Sequence, residues 1–103
     1  RKQSSRMVPG GLSKAKPATP EIQEMANKVK AQVEEQTNQT YEEYKAVEYK
    51  TQVVAGINYF IKMCVAGDQY IHLKIFIGLS GQNDLVFGGC QTNKTKDDEL
   101  TYF

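Results

Sequence analysis

Gln52-Val53-Val54-Ala55-Gly56 sits between two runs that alternate apolar and polar residues, and only its first position is polar. Before it, Val47, Tyr49, Thr51 and Val53 alternate with Glu48, Lys50 and Gln52. After it, Ile57, Tyr59, Ile61 and Met63 alternate with Asn58, Lys62 and Cys64, with Phe60 as the interruption. Period-two patterns on both sides of a short glycine-bearing joint read as an antiparallel β-hairpin. The tip of a hairpin is ordinarily polar and wet. Here it offers Val, Val and Ala, so either the joint is not the tip or its apolar surface is kept for a partner.

Upstream, Thr19-Pro20-Glu21 is a helix-start signal: an oxygen-bearing cap, a proline where a missing N–H costs nothing, and an acid at the positive end of the dipole. Ile22, Met25, Ala26, Val29 and Val33 then recur at spacings of three and four, with Glu24, Lys28, Lys30, Glu34 and Glu35 between them. This predicts one amphipathic helix of about five turns, fading over residues 36–40, where Asn and Thr favour local side-chain bonding. Pro9, Gly10, Gly11 and Pro17 prevent an earlier helix, so residues 7–18 are expected to be mobile or extended.

Downstream, strands are predicted over residues 41–54 and 57–65, with a turn at Ala66-Gly67-Asp68. Residues 69–77 alternate most strongly, with Ile71, Leu73, Ile75 and Ile77 on one face and Tyr70, His72 and Lys74 on the other. Leu79-Ser80-Gly81-Gln82-Asn83-Asp84 breaks this strand. Leu85-Val86-Phe87 starts another, which Gly88 and Gly89 should weaken. Residues 91–99 are polar, Asp97-Asp98-Glu99 reads as a solvated acidic run, and Leu100, Tyr102 and Phe103 return a small apolar patch.

One helix followed by strands with short joints indicates an α+β fold, a single helix packed across the apolar face of an antiparallel meander. Meander loops alternate between the two ends of a sheet. The Val54-Ala55-Gly56 joint and the Leu79-Ser80-Gly81 loop should therefore emerge together, opposite the Gly67 turn.

A chain of 103 residues has room for one domain. Thirteen Lys and Arg against 12 Asp and Glu give a net charge of +1, so no strong field points to nucleic acid or an anionic membrane. No apolar run follows the basic start, and none approaches the roughly 18 residues of a membrane span; a soluble, cytoplasmic protein is expected. In a meander Cys64 and Cys90 lie on strands flanking a third, about 9.5 Å apart, beyond the roughly 7 Å that a disulfide tolerates. Two free thiols are expected, which suits a reducing cytosol and leaves the sequons Asn38-Gln39-Thr40 and Asn93-Lys94-Thr95 idle.

The inventory for catalysis is thin. His72 is the one histidine and reads as a surface or cross-strand packing residue. Cys64 and Cys90 lack zinc-ligand spacing, and Gly10-Gly11 follow no strand that would make a phosphate loop. No enzyme, metal or cofactor is expected, and recognition remains. The plain alternative assigns Val53 to the core, Val54 to the end of the sheet and Leu79 to the bottom of an apolar patch.

The same residues carry a family resemblance. Gln52-Val53-Val54-Ala55-Gly56 resembles the Gln-Val-Val-Ala-Gly signature of the cystatins, reversible protein inhibitors of papain-like cysteine proteases. Met7-Val8-Pro9-Gly10-Gly11-Leu12-Ser13 resembles the start of the stefins, the type 1 cystatins. Ala18-Thr19-Pro20-Glu21-Ile22-Gln23 resembles their helix start, and Lys96-Asp97-Asp98-Glu99-Leu100-Thr101 their tail. The resemblance implies a domain over residues 7–103, with residues 1–6 as an extension or tag remnant. It further implies a wedge that blocks the cleft of a cathepsin-class protease.

In that wedge Met7 and Val8 would fill apolar pockets, while Pro9 and Gly10 complete the trunk. Gln52, Val53, Val54, Ala55 and Gly56 would form the first loop, and Leu79, Ser80 and Gly81 the second. Ser80 departs from the proline of related chains, and Gly88 and Cys90 replace bulkier strand formers. The rival to a monomeric inhibitor is a structural protein whose hairpin opens at Val53-Val54 and exchanges between chains as a swapped dimer.

Overall fold

The computed structural model describes residues 11–103. Met7, Val8, Pro9 and Gly10 lie outside the described residues, as do residues 1–6. Thr19 caps α1 (Pro20–Lys28), its Oγ1 accepting from the Ile22 N–H, with Pro20 at the start and Glu21 in the first turn. The apolar stripe of Ile22, Met25, Ala26, Val29 and Val33 is buried as its spacing predicts.

The expected single helix is instead two segments, α1 and α2 (Lys30–Thr37). At the joint Val29 sits at φ −103°, ψ 5°, and its N–H donates to the Ala26 carbonyl three residues back at 3.2 Å. Such a tightened bond turns the helix locally. The Val33 N–H then bonds the Val29 carbonyl at 2.9 Å and the helix resumes. Neither glycine nor proline marks the joint.

Among the described residues five strands form one sheet in sequential spatial order, one before the helices and four after them, every neighbouring pair antiparallel. They are β1 (Lys16–Pro17), β2 (Lys45–Val54), β3 (Gly56–Ala66), β4 (Gln69–Ile77) and β5 (Leu85–Lys94), so the meander is as expected. β2 begins later than the alternation suggested, because the tyrosines before it are bound to the helices. The Tyr41 N–H donates to Glu34 Oε2 at 2.8 Å, and the Tyr44 hydroxyl donates to the Ala26 carbonyl at 2.9 Å. A bulge between Ala46 and Glu48 shifts the register there, so Ala46 is buried and Val47 is exposed. β5 runs unbroken through Gly88 and Gly89, its register against β4 shifting between Lys74 and Ile75.

The helices cover one face of this sheet, meeting Ile61, Met63, Ile71, Leu73 and Ile75. The C-terminal residues cover the other. Lys50 Nζ donates to the Leu100 carbonyl at 2.8 Å and to Glu99 Oε2 at 2.9 Å, and Lys62 Nζ donates to the Lys96 carbonyl at 2.7 Å. Phe60, which interrupted the alternation, is fully buried on this face with Tyr102 and Phe103 against it. Lys50, Lys62 and His72 are buried too, so the polar face is an interior layer and His72 is a packing residue rather than a surface one.

Candidate functional site

β2 and β3 are joined through Ala55 alone, and the pairing continues to the tip as Val53 with Ile57 and Val54 with Gly56. Ile57 pairs in turn with Ile77, and Ile77 with Leu85. The first joint and the loop that follows Ile77 thus leave the same end of the sheet, two strand spacings or about 9.6 Å apart. The Gly67 turn lies at the other end.

Exposure decides between the two readings of the tip. Val53 is 70% exposed, Val54 45% and Leu79 87%. Val53 is therefore not core and Leu79 closes no apolar patch, contrary to the plain alternative, while Val54 does lie at the end of its strand. They stay in place because their neighbours are fixed. Gln52 is buried, and its Oε1 accepts from Asn58 Nδ2 across the strand pair at 2.7 Å. Gly56 has φ +124°, and a Cβ there would stand 2.6 Å from the Ile77 carbonyl oxygen. Only glycine meets both demands.

The second loop is closed internally. The Gly78 N–H donates to the Asp84 carbonyl at 3.0 Å, and the Gly81 N–H donates to the Gly78 carbonyl at 3.1 Å. A Cβ at Gly78 would run into the Asp84 carboxylate, and Gly81 takes φ +82° where the chain turns into the short helical turn Gly81–Asp84. Ser80 lies at φ −81°, ψ 5°, within reach of any residue, so the loop keeps its form without a proline.

A third segment is brought alongside. The Ser13 N–H donates to the Thr51 carbonyl at 2.8 Å and Ser13 Oγ accepts from the Thr51 N–H at 3.0 Å, while Lys16 pairs with Tyr49. Running antiparallel to β2, the chain from Pro17 back to Gly11 heads toward the end that carries Val53 and Val54. The sequence pattern does not signal β1 as a strand, but over residues 11–18 the extended alternative fits it.

Residues 52–56 and 79–81 contain no ionisable side chain. The titratable groups with shifted behaviour lie elsewhere. Burial pushes both the Cys64 and Cys90 thiols up, and for Cys64 the Glu43 carboxylate adds to it; both are free and neither is disposed to be a thiolate. Burial, then Lys94 and Lys62, hold His72 down at about 4. Among the described residues no group of three His, Cys, Asp or Glu side chains is placed to hold a metal. No helix among them is long and apolar enough to cross a membrane.

Sequence reasoning missed the residues behind the loops: Asn58, Phe76, Gly78 and Asp84. The only signal was Phe76 itself, an aromatic among the polar positions of its strand.

Helices packed on one face of an antiparallel sheet, with an uncharged apolar edge at one end, define an α+β domain. A cystatin domain matches residues 10–97. Cystatin-A of Mus musculus is 66% identical over 97 residues, which is 94% of this chain and 100% of that protein. Cystatin-A of Homo sapiens is 63% identical over 98 residues, with 94% and 100% covered. Leukocyte cysteine proteinase inhibitor 1 of Sus scrofa is 56% identical over 102 residues, with 98% and 99% covered. The chain belongs to the cystatin family, in its type 1 or stefin branch.

Proposed function

We propose that this protein is a reversible, competitive, tight-binding inhibitor of papain-like cysteine proteases, the cathepsin class. The observation that carries the reading is the exposure of Val53, Val54 and Leu79 at one end of the sheet, with residues 11–13 running along β2 toward the same end. The name of the Sus scrofa relative, a cysteine proteinase inhibitor, supports the chemistry of the partner.

In this reading the edge is the front of a wedge. Val53, Val54, Ala55 and Gly56, flanked by the buried Gln52, enter the cleft beside the catalytic thiolate. Leu79, with Ser80 and Gly81, presses on the primed-side rim. Met7, Val8, Pro9 and Gly10 form the trunk, Met7 and Val8 filling apolar substrate pockets while Gly10 lets the backbone lie against the wall. No chemistry is required of the inhibitor. It blocks the cleft without offering a peptide bond within the roughly 3 to 3.5 Å that attack requires. Nanomolar affinity, about −12 kcal/mol, is attainable because the sheet has already ordered both loops. In this reading the trunk tunes affinity among targets.

The test is a titration of active-site-counted papain with the monomer isolated on a calibrated column, following peptide hydrolysis. Stoichiometric loss of activity that is reversed on dilution and competitive with substrate is expected. Full activity at micromolar inhibitor would overturn the reading. A dimer on the column that fails to inhibit, with a monomer that does, would assign the first loop to the exchanged strand in the dimer.

A further inference from the structure

Phe76 sits on the face of β4 that otherwise carries Tyr70, His72 and Lys74, paired with Asn58 across the β3–β4 ladder. Two residues before Asn58 along β3 is Gly56, the diagonal neighbour of Phe76 and within reach of an aromatic ring. The ring takes that place. A Cβ built on Gly56 would fall 2.7 Å from Phe76 Cζ and 2.9 Å from Cε1. The space a side chain would occupy at Gly56 is therefore filled by the Phe76 ring and the Ile77 carbonyl together.

This contact joins two parts of the edge. Gly56 closes the first loop. Ile77, next to Phe76, is the last residue of β4 and leads through Gly78 into the second loop. A glycine with no side chain of its own is held in a strand by an aromatic laid over it from the adjacent strand, and without such cover it is the freest residue in the chain.

We infer that Phe76 is a positioning residue for protease binding: its ring, seated on Gly56, fixes the first loop to the root of the second so that both present as one rigid body. The inference rests on the reading of this edge as the protease-binding surface. It makes Phe76 important to affinity although it lies behind the exposed tip. Without the ring only a fraction of molecules would hold both loops in the binding geometry, and apparent affinity falls by that fraction.

The experiment compares the parent with Phe76→Ala, Phe76→Leu, Phe76→Tyr and, as a control at the far end of β4, Tyr70→Ala. Three quantities are measured for each: inhibition constant against papain, thermal midpoint, and amide hydrogen exchange at Ala55, Gly56, Leu79 and Ser80. Phe76→Ala is expected to weaken inhibition about tenfold or more and to speed exchange in both loops together. Phe76→Leu should fall between it and the parent and carries the test if Phe76→Ala does not fold. Phe76→Tyr keeps the ring and should restore both readouts.

Unchanged exchange in the loops of the folded Ala or Leu variant overturns the inference. So does an unchanged inhibition constant, or an equal weakening by Tyr70→Ala. Should the parent itself fail to inhibit papain, the protease reading falls. The exchange data would then still decide whether Phe76 couples the loops.

Discussion

Against one face of the sheet lie α1 and α2, which bring Ile22, Met25, Ala26, Val29 and Val33 onto Ile61, Met63, Ile71, Leu73 and Ile75. Against the other lies an irregular tail that brings one buried leucine, Leu100, two aromatic rings and a series of backbone carbonyls. The helix face is held by transfer of apolar surface from water, summed over many side chains. The tail face places its cationic side chains inside and meets them with carbonyl oxygens. The first kind of layer is tolerant of sequence detail. The second depends on its buried ammonium groups finding their acceptors.

Truncations on the two faces should therefore differ in size. Leu73→Ala on the helix face, in a fully buried site, is expected to cost about 4 kcal/mol. Leu100→Ala should cost about 3 kcal/mol, because a tail held at one end can settle partly into the space. Urea unfolding of both variants reads the difference. A larger loss for Leu100→Ala would make the tail the principal clamp of the fold and reverse the comparison.

The next effect is acid sensitivity, and it belongs to the tail face alone. His72 lies in register between Lys62 and Gln91, fully buried, with neither ring nitrogen hydrogen-bonded. Lys62, Lys94, Asp98 and Glu48 are the charges that act on it. Its folded pKa of about 4 is below its ordinary value of 6.5, so as pH falls the unfolded chain takes up the proton first. Stability is lost between those two values, by about 2 kcal/mol from pH 7 to pH 5.

The tail carboxylates act in the same direction lower down. A hydrogen bond from the Thr95 backbone holds Asp98 down and the Lys50 ammonium holds Glu99 down, so each loses its stabilising contribution as it protonates. Urea midpoints across pH for the parent and His72→Phe separate the two: the variant should be flat from pH 6.5 to 5 and fall only below that. A variant as steep as the parent would place the acid response elsewhere.

These faces were unequally legible in the sequence. Periodicity exposed the helix face, since Val29 and Leu73 are apolar at positions where a helix and a strand each turn inward. It also gave the meander, and with it the shared end of the Val54 joint and the Leu79 loop. The tail face was hidden because Lys50, Lys62 and His72 alternate with apolar residues in the way solvent-facing side chains do. The acceptors of the two lysines lie 34 to 50 residues further along the chain. Phe60 and Leu100, apolar among polar neighbours, were the trace of this layer. The Val47 bulge and the supports behind the loops depend on register, which alternation does not specify. Phe76 meets Gly56 only on the diagonal, and the Gly78 loop closes on Asp84 through backbone atoms that no side-chain pattern reports.

The smallest expected effect is the sharpest test of how the tail face works. Lys62 Nζ lies 2.7 Å from the Lys96 carbonyl and 3.2 Å from Glu48 Oε2, inside the protein. Removing an ammonium from water is costly, and a pair of this kind often contributes little net stability against an apolar side chain of similar length. Lys62→Met keeps the stem that packs on the sheet, leaves Glu48 able to hydrate, and gives up one charge-assisted bond. The expected change at neutral pH is within about 1 kcal/mol. The same substitution removes one of the two cations that depress His72, so the His72 titration, followed by its ring proton resonances, should move up toward 6.5 and the acid slope should shallow. A loss above about 3 kcal/mol at neutral pH would mean that the ion pair rather than Leu100 and Phe60 holds the tail, and an unmoved His72 would mean that burial and Lys94 alone depress it.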